Sequence, residues 1–129
     1  MKKNFKISIL WVAIVAGMSA HSLTDMIPLF WNANIAVYND GVAPMSMLVL
    51  MAVVSLTIPM IGLLLSLYAR KRWHKTVHFC LAAFTALFCT IHSTELIVSF
   101  ELPQLFIHPM LIIVSIALAC EAWKWNKKE

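Results

Sequence analysis

The sequence predicts an all-α integral membrane protein: a bundle of four transmembrane helices running up-down-up-down. Three observations predict it. Of its 129 residues, 61% are apolar, against roughly 45–50% in soluble domains. Four stretches, near 5–27, 44–69, 74–99 and 103–125, are each about twenty or more residues long and mostly apolar. At about 1.5 Å per residue each can cross a hydrocarbon core about 30 Å thick. All ten basic residues fall on one side of these alternating spans. The remainder is smaller than the roughly 50 residues an independent water-soluble domain needs. The composition therefore excludes a soluble enzyme and a disordered tail protein, and describes a single transmembrane domain over 1–129.

Helix one is expected from Phe5 to Ile27, after the basic start Lys2, Lys3 and Lys6, with Pro28 at its outer end. Its apolar run Ile7–Ala20 and the small residues near Met18-Ser19-Ala20 also fit a signal peptide. Removing it would spoil a four-span arrangement whose charges agree, so it is read as a retained span. The segment from Pro28 to Gly41 carries Asn32, Asn34 and the turn signal Asn39-Asp40-Gly41. Leu29, Phe30, Trp31 and Ile35 lay it on the membrane surface.

Helix two runs from Pro44, a favourable first-turn residue, to Tyr68 or Ala69. Pro59 deletes one of its backbone hydrogen bonds and predicts a kink, with Gly62 following. Helix three runs from His74 to Ser99 and helix four from Pro103 to Trp125. The short connections favour antiparallel neighbours. Ala20-His21-Ser22 echoes Ile91-His92-Ser93, and Ile58-Pro59-Met60 echoes His108-Pro109-Met110. Two similar helical hairpins would produce such echoes, although their different offsets resist a single alignment.

The basic residues set the topology. Besides the N-terminal lysines they are Arg70, Lys71, Arg72 and Lys75 between helices two and three, and Lys124, Lys127 and Lys128 after helix four. By the positive-inside rule both termini are cytoplasmic, in a multi-pass protein of the inner (cytoplasmic) membrane. Asp25, Asp40 and Glu101 then face outward. Trp73, Trp123 and Trp125 on one side, and Phe30, Trp31 and Tyr38 on the other, are interfacial anchors. The expected partner is the lipid bilayer; the cations are too dispersed for nucleic acid. Arg70, Lys71, Arg72, His74 and His78 form the region where a lipid headgroup or phosphate would be contacted. So thin a bundle also predicts a homo-oligomer or attachment to a larger membrane complex, with Ala13, Ala16 and Gly17 allowing close helix approach.

Ionisable groups are expensive in lipid and mark function. His21, His92 and His108 lie about 9, 12 and 7–8 Å inside the outer ends of helices one, three and four. Asp25 stands one turn above His21, and Glu95 nearly one turn above His92. The three imidazoles are therefore read as metal ligands, with Glu95 or Asp25 as a fourth ligand or orienting partner. Met47, Met51 and Cys89 are possible additional soft ligands, suited to copper; imidazole and carboxylate also suit zinc or iron. No compact HExxH or CxxC motif is present. A haem b is the other cofactor reading. His78 and His92 are about 21 Å apart along helix three and within about 40° around its axis. An inner haem would lack a second ligand, which leaves one outer haem. Cys80 and Cys120 read as packing residues.

The function read from this pattern is a metal-handling or redox accessory protein. One alternative is a non-catalytic subunit or small transporter component whose His/acid layer serves packing or proton or substrate passage. Another is a membrane enzyme using the His92/Glu95 pair on a lipid or quinone. For that chemistry a nucleophile is missing: Ser22, Ser93 and Thr94 are sequence neighbours of histidines, which on a helix turns them elsewhere.

Overall fold

A proline-free run rich in apolar residues gives the first span its length: α1 covers Lys3–Met26. Two of its hydroxyls bond within the helix, Ser8 Oγ donating to Asn4 O (2.9 Å) and Thr24 Oγ1 to Ala20 O (2.7 Å). Pro28 does not end the helical path. It fits the first turn of a 3-10 helix, Ile27–Trp31, which closes on Asn32 in the left-handed region at φ 55°, a conformation that asparagine tolerates. The computed structural model describes residues 3–32, 34, 44–98 and 100–127. The expected Asn39-Asp40-Gly41 turn, Ile35 and Tyr38 lie outside the described residues.

The second span comprises α2 (Met45–Ala52), a π turn (Val53–Thr57) and α3 (Ile58–Tyr68). The kink expected at Pro59 takes the form of this π turn. Pro59 has no N–H to donate, and its ring crowds the carbonyl four residues back. Just before it the helix widens, and the Ile58 N–H reaches Val53 O, five residues back. Beyond the widened turn, all eight residues of α2 are exposed.

The third span, expected as one helix to Ser99, is interrupted. It runs as α4 (Arg72–His92), breaks at Ser93-Thr94, and resumes as the short α5 (Glu95–Val98). The hydroxyls of the break supply the reason. Ser93 Oγ donates to Cys89 O and Thr94 Oγ1 to Ile91 O, both at 2.7 Å. The Thr94 N–H meanwhile turns to Ile91 O, three residues back. Side chains competing for these carbonyls tighten the turn and bend the path. The fourth span is α6 (Gln104–Asn126), with Pro109 inside it.

These elements form an all-α four-helix bundle. The spans stand in a ring: α1 packs on α3, α3 on α4, α4 on α6, and α6 on α1. Four helical stretches, Asn4–Trp31, Met45–Tyr68, Arg72–Val98 and Gln104–Asn126, are long and apolar enough to cross a membrane. Ile7, Trp11, Ile14 and Met18 recur at helical spacing and form the core with Leu111, Leu118, Ala122 and Trp125 of α6 and Ala82 and Cys89 of α4. Gly62 admits this packing: a Cβ there would run into the Trp11 indole. The exterior is also apolar, as a buried or lipid-facing helix requires. At the basic end, Glu121 takes Lys6 at 3.3 Å and Lys124 at 3.0 Å.

Candidate metal centre

Three spans converge at the end opposite the basic loop. α1 supplies His21 from its last turns, α4 supplies His92 as its final residue, and α6 supplies His108 from its second turn, just before Pro109. One ligand atom from each of the three lies within 4.8 Å of the others, so the cluster can hold a metal ion. His21 and His108 are buried, at 6% and 2% exposure, and His92 is half-buried. The His21 ring meets both others edge-on at 4.9 Å between centroids, while His92 and His108 stack at 5.3 Å. Phe88 covers the His92 ring with nearly parallel planes, centroids 5.5 Å apart.

The hydrogen bonds around the rings determine which nitrogens face inward. Gln104, buried at the start of α6, donates its amide N–H to Asp25 Oδ1 and to His21 O (3.4 Å). Both of those atoms are acceptors, so the Gln104 carbonyl oxygen must face His21. His21 Nδ1–H donates to that oxygen at 2.7 Å, which in the neutral ring leaves Nε2 with a lone pair. This Nε2 faces His92 Nε2 at 2.9 Å and Asp25 Oδ2 at 3.5 Å. On the far edge of its ring, His92 Nδ1 stands 3.4 Å from Glu95 Oε2. If that Nδ1 carries its proton toward the carboxylate, both Nε2 lone pairs converge. Metal-bound histidines follow the same pattern, with the outer ring nitrogen donating to a carbonyl or carboxylate and the inner one left for the ion.

The Cys89 thiol, buried one turn below His92, meets Ser115. Met47 and Met51 are exposed on α2, which does not pack along the other spans. Asp25 and Glu95 lie beside imidazole nitrogens, and their side chains are 46% and 57% exposed. They form the open mouth of the cluster. The three rings are in mutual contact, and nothing in their arrangement singles out a haem.

At the other end, Arg70, Lys71 and Arg72 are exposed, and His74 lies half-buried against Trp73, ring centroids 3.9 Å apart. His78 is set apart from them. It is fully buried, its Nε2 accepts from Trp11 Nε1–H at 2.8 Å, and the Trp125 ring meets it edge-on at 5.1 Å.

Sequence reasoning missed Gln104 and the Trp11–His78 bond. Gln104 had a local signal, since it stands one helical turn before His108 on the same face. Comparison with protein-family profiles, with characterised proteins and with solved structures yields no match.

Proposed function

We propose that the protein is a multi-pass protein of the inner (cytoplasmic) membrane, with both termini cytoplasmic, that binds one first-row transition metal ion near its outer face. Its role would be metal handling. The observation that carries this reading is the convergence of His21, His92 and His108, with the outward nitrogens of His21 and His92 facing Gln104 and Glu95. Three neutral imidazoles with an open fourth position make a set suited to zinc. Copper(II) or iron(II) would use the same donors, and only these would give the site a redox role. Copper(I) is less favoured because Met47 and Met51 are exposed on α2, and a haem because the three rings stand in mutual contact.

A second reading rests on one distance. Tetrahedral nitrogens at about 2.0–2.1 Å from an ion sit about 3.4 Å apart, whereas His21 Nε2 and His92 Nε2 are 2.9 Å apart. A direct hydrogen bond between the rings would serve packing alone, and an entering ion would part them by about half an ångström.

Elemental analysis of protein purified in mild detergent, with an absorption spectrum, separates the two. About one metal ion per chain is expected, lost in the His92→Ala/His108→Ala double variant. Metal-free protein that takes up neither zinc, copper nor iron would leave the packing reading in place.

A further inference from the structure

We infer that the end of the bundle opposite the histidines binds an anionic phospholipid, one acyl chain lying between α3 and α4 and the phosphate at the turn that joins them. A cavity of about 360 Å³ lies there, lined by Ile61, Leu64, Leu65, Tyr68, Ala69 and His74. Ile61, Leu64, Leu65 and Tyr68 follow one another at helical spacing, so α3 offers an apolar wall along the direction an acyl chain would take.

Three polar features meet at the end of this groove. His74 Nδ1 is buried and has no hydrogen-bond partner. Arg70 and Lys71 are exposed, and among the described residues neither forms an ion pair with a carboxylate. α4 begins at this turn with no side chain capping it and no acid in its first turn. Its first N–H groups and the positive end of its dipole therefore also favour an anion. Free phosphate would satisfy the charges and leave the groove unused. A zwitterionic lipid would fill the groove and leave the cations without a net counter-charge. An anionic phospholipid satisfies both.

The inference rests on the membrane reading above and is independent of the metal. The test is native mass spectrometry of the full chain in mild detergent, titrated with phosphatidylglycerol, phosphatidylcholine or inorganic phosphate. Phosphatidylglycerol should be retained about tenfold more tightly than phosphatidylcholine, and Arg70→Gln/Lys71→Gln should remove that preference. Leu64→Trp, which fills the groove and leaves every charge in place, should weaken retention of phosphatidylglycerol. Equal retention of the two lipids would overturn the site, as would displacement of the lipid by phosphate or indifference to Leu64→Trp in protein of unchanged helicity. Release of the chain from membranes by alkaline carbonate would instead overturn the membrane reading and this site with it.

Discussion

Gln104 decides more about the cluster than its neutral side chain would suggest. Its carbonyl oxygen holds the His21 proton on Nδ1 and leaves Nε2 to face inward. Gln104→Leu should therefore lower metal affinity about 10–100-fold with all three imidazoles present. Competition with a chromogenic chelator reads this directly, and unchanged affinity would mean that His21 is oriented by something else. Trp11→Phe tests the buried pair at the other level. It removes the donor to His78 Nε2 and leaves an unpaired acceptor in the core, with an expected cost of about 1–3 kcal/mol. Thermal unfolding in detergent measures it. The depths of His21, His92 and His108 were legible because a helix converts residue count into distance along its axis. The surroundings of His78 were not. Its neighbours Arg70, Lys71 and Arg72 place it near an interface, whereas its ring partners lie on α1 and α6, far away in sequence.

At the scale of elements, the spans follow from apolar length because a helix satisfies its own backbone where water is scarce. Their interruptions depend on finer choices. The π turn answers a ring that crowds a carbonyl, and the break after His92 answers two hydroxyls competing for the same acceptors. Neither changes the hydropathy from which the spans were read. The α1–α3 contact depends on a missing side chain. Gly62→Ala would set a methyl against the Trp11 indole, forcing the ring to move at an expected cost of about 1–3 kcal/mol. The Trp fluorescence of this variant should shift together with its unfolding temperature. By contrast, Glu121→Gln loosens a tie to a half-exposed Lys6 at the end of the bundle. It should change stability by no more than about 1 kcal/mol.

For the molecule as a whole, the ring of spans leaves a diagonal between α1 and α4, and side chains cross it at two levels. Trp11 meets His78 at one level, and His21 meets His92 at the other. The bundle and the cluster were thus legible together, since a chain with few polar groups in its spans has few ways to satisfy them except across the interior. The orientation read from the basic residues has its own check. Reporter fusions after residue 127 should be active on the cytoplasmic side, and fusions near residue 32 on the opposite side.

The origin of the three ligands also bears on when the centre can exist. His21 emerges first, His92 much later, and Gln104 and His108 only with the final span, whereas the second span carries no histidine. If the four candidate spans insert in sequence order, His21 would wait through two further crossings before the side chain that orients it arrives. A captured ion would therefore report that all four crossings had been made in the right order.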